Sequence, residues 1–431
     1  MPREVLDCQE QDTIRGIHSL CVYRRLQRDE VLSSFQELLE LLLERQPQSL
    51  IVPAYSRFVG LLLERAESLG LTGPLFGKYL LHLFLNDENI FSLGCERKEC
   101  KPEGSLNTFA LEDMRVLLYL VRLDVNALCA NLGGSVNMMD YKPMAVKENP
   151  YLEQLACCDT PEKLLESFRW YYANRGVGSL SQYTMFRFDE KTGLLPIQRP
   201  DAVSFAQIIG YAAQKQELKN NTLAFINKMA ANNVLLVGSR GTGKSSCVKA
   251  LANEYAGQGL RIVEITKEQI PHMPALLQLL NGRGFRFIVF LDDLSFDEFE
   301  GQYKYLKSVL EGGAETRPEN VLFYATSNRR HLVQEKWSDK KNPDGDEELH
   351  TSDTVNEKLS LSDRFGVTIT FPKPTPEEYL NIVTGLAQMK NLVIDRDFLQ
   401  KQAMAWELSQ KGLSGRTARQ FIDSIVWEFQ K

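Results

Sequence analysis

The sequence predicts an α/β protein in which a parallel sheet carries helices on both faces. A mainly helical N-terminal domain precedes the sheet, and a small helical bundle follows it. Three observations lead there. Apolar, β-branched runs at 233–237, 261–265, 286–291, 320–325 and 367–371 alternate with helical segments. One of these runs, 287–291, is apolar at every position, as strands covered on both faces are. Residues 376–390, 396–410 and 414–430 then carry only helical patterns, as do most of residues 1–177.

Taken in order, Leu32, Phe35, Leu38, Leu39, Leu42 and Leu43 recur at helical spacing. A second amphipathic run covers 55–69 with Phe58, Leu61, Leu62 and Leu63. Both contain Leu-Leu-Leu-Glu-Arg (41–45 and 61–65), an echo of hairpin packing, although two copies do not make a repeat array. Further helices are expected at 74–85 and at 111–131, the latter ending at Gly133-Gly134. Thr160 caps another, with Pro161 in its first turn, running through Phe168-Arg169-Trp170-Tyr171-Tyr172 to Gly176. That aromatic cluster is read as core packing rather than a stacking surface. Residues 183–188 alternate like a strand and 189–193 read as a turn, within a stretch, 178–203, assigned as a linker. Helices at 211–230, 244–256 and 274–280 separate the strands that follow. The expected domains are therefore 1–177 for target recruitment or assembly, 204–374 for the α/β core, and 375–431 for a helical lid.

A composition of 43% hydrophobic and 25% charged residues is that of a folded protein. Net charge is -6; residues 1–200 hold 22 basic and 27 acidic side chains, and 201–431 hold 28 and 29. Neither half is a basic arm, so charge gives no support for non-specific nucleic-acid binding and leaves only a local basic face to provide it. The start, Met1-Pro2-Arg3-Glu4, lacks a signal pattern, and apolar runs such as 79–85 and 116–121 are too short to span a bilayer. The expectation is a cytoplasmic protein with no membrane partner. Eight cysteines fit free thiols in a reducing compartment. Cys95 and Cys100 lack a second pair at zinc-site spacing, and Cys157-Cys158 is read as a buried helix end.

The chemistry concentrates after residue 233. A buried strand runs into Gly238-Ser239-Arg240-Gly241-Thr242-Gly243-Lys244-Ser245-Ser246, which fits G-x-x-x-x-G-K-S, the loop whose backbone N–H groups cradle phosphates. Lys244 is placed to reach the β- and γ-phosphates of ATP, and Ser245 to ligate Mg²⁺. The helix that follows would aim its positive dipole end at the same phosphates. Downstream, the apolar strand ends in Asp292-Asp293. Asp292 is assigned to Mg²⁺ through water and Asp293 to the attacking water. Ser327-Asn328 ends the next strand, where an amide can bond both the γ-phosphate and that water. Arg364 precedes the strand at 367–371, and Arg416 and Arg419 open the last helix. Planar, always-charged guanidinium groups suit a transferring phosphoryl group.

Phosphate loop, acidic strand end, Ser-Asn, Ser-Asp-Arg-Phe-Gly (362–366) and Arg-Thr-Ala-Arg-Gln (416–420), in that order, resemble an AAA+ ATPase over 204–431. The resemblance implies the P-loop AAA+ fold, with Asn328 as sensor 1 and Arg364 as an arginine finger reaching a neighbouring subunit's ATP. Arg416, or alternatively Arg419, becomes sensor 2 on the lid. Ile208-Ile209-Gly210-Tyr211 matches the segment lining the adenine pocket, which adds Ile209 and Gly210 to the nucleotide-binding set. Whole-segment similarity, including 356–366, is closer still to an uncharacterised bacterial family of predicted AAA+ ATPases, a domain of unknown function.

Two departures qualify that resemblance. The strand ends Asp-Asp where many AAA+ proteins have Asp-Glu, so the carboxylate that faces water is one methylene shorter. No aromatic-apolar-Gly pore loop stands between Thr266 and Arg283, which argues against a protein-threading unfoldase. The polar stretch 331–359 is read as a solvated insertion or a nucleotide-state switch. The expected function is Mg²⁺-dependent ATP hydrolysis at an interface between subunits of a homo-oligomer, working on an unidentified client. The alternative is a nucleotide-gated binding or loader module, helicase-loader- or initiator-like, with little turnover.

Overall fold

A computed structural model describes residues 3–101, 103–128, 140–146, 149–295, 302–311, 317–328, 361–409 and 412–429. The chain divides into two compact units, Met1–Gln182 and Tyr183–Lys431. The insertion at 331–359 and the Gly133-Gly134 pair lie outside the described residues.

The first unit is helical. Helices Glu30–Leu43 and Gln48–Leu69 pack as the hairpin that the shared motif suggested, with Phe35 and Phe58 rings 4.9 Å apart. The second begins seven residues before 55 and holds Pro53 inside its second turn. The helix expected at 111–131 is instead Ser105–Val121. The chain leaves helix at Arg122, and Asp124 accepts from Ala127 N at 3.0 Å to restart a short one, Val125–Leu128. Thr160 caps Pro161–Arg175 as expected, accepting from Lys163 N. Of its aromatic cluster, Phe168, Tyr171 and Tyr172 are core, whereas Trp170 is 51% exposed beside Tyr151. Cys157 does end a helix, Pro150–Ala156, but is exposed rather than buried. Asp113 carries a buried carboxylate that accepts from Cys21 N, Val22 N and Tyr23 N at 2.8–3.0 Å, tying the segment after helix Arg3–Ser19 to helix Ser105–Val121.

In the second unit the described residues form one seven-stranded sheet: β1 (Met185–Asp189), β2 (Gly193–Pro196), β3 (Val234–Gly238), β4 (Leu260–Ile265), β5 (Arg286–Leu291), β6 (Val321–Ser327) and β7 (Val367–Phe371). Their order is β2-β1-β4-β5-β6-β3-β7, and every pairing is parallel except the β1–β2 hairpin. The stretch read as a linker therefore supplies an edge of the sheet. Its alternating pattern was a strand signal, and β1 pairs with β4 from Met185 opposite Ile262. Central strands β3, β5 and β6 are buried almost throughout because helices cover both faces. Cys247, Val248 and Leu251 of the helix Lys244–Tyr255 pack on Val234, Leu236, Ile262, Ile288 and Tyr324.

Helices Pro376–Met389, Arg396–Ser409 and Gly415–Phe429 form a lid with its own core around Tyr379, Val383, Ala403 and Phe421. This is the P-loop AAA+ fold: a parallel sheet in which β6 lies between the phosphate-loop strand and the acidic strand, followed by a helical lid. Ligands in such sheets bind beyond the carboxyl ends of the strands, where the connections diverge. β3, β5 and β6 all point those ends the same way.

Candidate nucleotide-binding site

The phosphate loop leaves β3 where the neighbouring backbone crowds it. Gly238 has φ 146°, and a Cβ there would stand 2.0 Å from the Phe371 carbonyl oxygen. Gly241 has φ 77°, and a Cβ would meet Ser414 Oγ at 2.9 Å. Only glycine satisfies both conditions. Gly238→Ala is expected to destabilise the unit by about 3 kcal/mol or more, since overpacking and backbone strain add. Denaturant titration reads this directly; a midpoint equal to the parent's would mean that β7 yields without cost.

The loop ends at Gly243, which caps the helix Lys244–Tyr255. Lys244 Nζ donates to the carbonyls of Gly238 and Ser239, both at 2.8 Å, and to Asn328 Oδ1 at 3.1 Å. Burial lowers the Lys244 pKa, while the Asp293 and Asp292 carboxylates act in the opposite direction. Ser245 Oγ donates to Asp292 Oδ1 at 2.5 Å, and Asn328 Nδ2 donates to Asp293 Oδ1. Loop, acidic pair and Asn328 thus form one connected network across three strand ends. Strand order explains it: β6 sits between β5 and β3, with Leu291 opposite Ala325 and Leu236 opposite Thr326.

These groups face a cavity of about 650 Å³ within the second unit. Arg240, Gly241, Thr242, Gly243, Lys244, Ser245 and Ser246 line one wall, and Asp292, Asp293 and Asn328 the floor. Ile208, Ile209 and Tyr211 meet Ile382 and Leu386 of the lid on an apolar side, and Arg416 and Arg419 both reach the rim. The lid is docked there by backbone, with Arg416 N donating to Gly241 O at 3.2 Å. Gly385 lets it approach: a Cβ at that position would lie 2.6 Å from Ile209 Cδ1.

Of the expected residues, Gly210, Gly238, Ser239 and Arg364 lie outside the cavity lining. Gly238 and Ser239 instead hold Lys244 through their carbonyls. Gly210, at φ 81°, turns the chain between Ile209 and Tyr211. Arg364 lies just before β7, at the amino end of the sheet; Gly366 there is packed against Asn232, ahead of β3. At roughly 3.3 Å per strand residue, β7 spans ~13 Å from Val367, opposite Val234, to Phe371, opposite Gly238.

Sequence reading missed Thr326, Gln207 and the lid positions Ile382 and Leu386, all of which line the cavity. Neither Thr326, ordinary composition for a strand, nor the lid residues, ordinary helix positions, stood out in the sequence.

The donor set fits Mg²⁺. Among the described residues no group of three or more His, Cys, Asp or Glu could hold a metal ion. A hydroxyl and one carboxylate, Ser245 and Asp292, are however what a hard cation needs when phosphate oxygens and water supply its remaining ligands.

Residues 181–428, more than half of the chain, match the family described as "Protein of unknown function (DUF815)". The chain belongs to the DUF815 family. The match takes in β1 and β2, so the edge hairpin is part of the DUF815 domain. No curated protein matches this chain. Among solved structures, the DUF815 chain is similar to the Thermotoga maritima RuvB Holliday junction branch migration motor. Identity is 13% and TM-score 0.32, covering 52% of this chain and 72% of that one. A variant of Thermotoga maritima RuvB gives 16% identity and TM-score 0.33 with the same coverage.

Proposed function

We propose that this DUF815 protein binds ATP with Mg²⁺ and hydrolyses it at a site completed by a second copy of the chain. The N-terminal helical unit would engage the client on which the work is done. The observation that carries the reading is the network from Lys244 through Asn328 to Asp293, and from Ser245 to Asp292, on the floor of one cavity.

The residues divide the work. Backbone N–H groups of 239–245 and the helix dipole receive the phosphates, and Lys244 exchanges its loop carbonyls for phosphate oxygens. Ser245 and Asp292 would hold Mg²⁺, which when bound neutralises charge on the β- and γ-phosphate oxygens. Once Lys244 has turned to phosphate, Asn328 Oδ1 can orient the attacking water, and Asp293 accepts the proton the water loses. Ile209, Ile382 and Leu386 supply apolar surface to the base, and Arg416, with Arg419 beside it, supplies charge from the lid.

Arg364 supports the two-copy site. It precedes β7 at the amino end of the sheet and is absent from the lining of its own cavity, which favours a guanidinium that serves a neighbour's γ-phosphate. An arginine finger is worth ~10³–10⁵ in rate, so specific activity should rise with protein concentration. Mixing inactive Arg364→Ala with inactive Lys244→Ala chains should restore part of the turnover. No recovery, with mixed assembly verified, would place the finger elsewhere. A second reading, a nucleotide-gated binding or loader module, draws on the short Asp293 side chain, already engaged by Asn328. Tight ATP binding without turnover at any concentration, with and without DNA, would favour it.

A further inference from the structure

The acidic pair is held by a residue outside the motif pattern. Thr326, 1% exposed on β6, lies between the acidic strand and the phosphate-loop strand. Asp293 N is 2.9 Å from Thr326 Oγ1, and Thr326 Oγ1 is 2.6 Å from Asp292 Oδ1. The direction of both bonds follows from valence. A backbone N–H can only donate, so the hydroxyl accepts from Asp293 and gives its single proton to Asp292. The Thr326 carbonyl adds a third tie, accepting from Leu294 N at 2.7 Å.

That clamp acts on an uncommon backbone. Asp293 has φ 52°, a left-handed conformation that a non-glycine residue holds only when its surroundings impose it. With the Asp293 N–H pinned to Thr326 Oγ1 and the Asp293 carboxylate bonded by Asn328, the side chain is held over the cavity floor. Asp292 Oδ1 meanwhile accepts from Ser245, from Thr326 and, at 3.1 Å, from Asp293 N.

We propose that Thr326 is a positioning residue. Its hydroxyl sets the spacing between the carboxylate on the Mg²⁺ side, Asp292, and the carboxylate on the water side, Asp293. This rests on the ATPase reading above and deepens it. A valine matches threonine in shape and removes only the hydroxyl, whereas serine keeps the hydroxyl and loses the methyl. Supporting groups of this kind are worth ~10–100-fold in metal affinity or activity.

The test compares Thr326→Val, Thr326→Ser and the parent chain by two readouts. The first is nucleotide binding, measured with a fluorescent ATP analogue over a Mg²⁺ titration and in EDTA; the second is kcat and KM for ATP. Thr326→Val should leave metal-free nucleotide affinity unchanged and raise the Mg²⁺ half-saturation roughly tenfold or more. It should also lower kcat roughly 10–100-fold at constant KM, and Thr326→Ser should recover most of both losses. A Thr326→Val chain matching the parent in Mg²⁺ half-saturation overturns the proposal. So does a Thr326→Ser chain as impaired as the valine variant. A parent that binds Mg²⁺-ATP without turnover would refute hydrolysis, not the clamp, which the Mg²⁺ titration still decides.

Discussion

Lys244→Ala should weaken ATP binding by about 10²–10⁴-fold. In the structure the ammonium group is held by two loop carbonyls and by Asn328, in a buried side chain close to the acidic pair. ATP replaces those acceptors with phosphate oxygens, and two charge-assisted hydrogen bonds at ~1.5–3 kcal/mol each give the range. The variant also leaves the Gly238 and Ser239 carbonyls without the donor they now have. Isothermal titration measures the affinity. Thermal unfolding offers an independent check, because a ligand at ~100 Kd stabilises the parent by about 2.7 kcal/mol and a variant that no longer binds by none. An unchanged affinity would remove the phosphate loop from nucleotide binding altogether.

Asp293→Asn should separate binding from turnover: ATP affinity within a few-fold of the parent, and kcat lower by ~10²–10⁴, the usual weight of a general base. The substitution is well matched to its place. Asparagine tolerates the left-handed backbone that Asp293 adopts, and its amide oxygen can still accept from Asn328. What disappears is the basicity needed to take a proton from water. Turnover at the parent's rate would move the base to another group. If turnover does stall, the ATP-trapped chain is also the form from which to recover the client by co-purification.

Much of this site was legible before any fold was seen, for a local reason. The glycines, Lys244 and Ser245 occupy consecutive positions, and their job is set by backbone freedom and side-chain type within one turn of chain. Asp292 was legible as a candidate because it ends a wholly apolar strand downstream of the phosphate loop, and Asn328 because it ends the next strand. Thr326 was obscured by the inward-facing apolar pattern of β6, within which a threonine reads as ordinary strand composition. The lid contacts were hidden for a different reason: Ile382, Leu386 and Gly385 are separated from Ile209 by more than 170 residues. Nothing in a helical period says which face will close on a nucleotide base. The helices that begin at Gln48 and end at Val121 differ from their expected spans: the first holds Pro53 in its second turn, and a carboxylate cap at Asp124 restarts a turn after the other. The edge hairpin at 185–196 shows the same limit. Its alternation was visible, but its partner, β4, was not.

The sequence by itself determined residue types and their short-range order: a glycine-rich loop ending in Lys244 and Ser245, carboxylates after an apolar strand, and a last helix that opens with Arg416 and Arg419. Only the tertiary structure decided adjacency. It placed β6 between β5 and β3, so that one hydroxyl joins the Asp292 carboxylate to the Asp293 backbone N–H, and it set Arg364 at the amino end of the sheet. Strand order arises from long-range pairing that no local pattern encodes, which is why the clamp and the place of Arg364 emerged only from the fold.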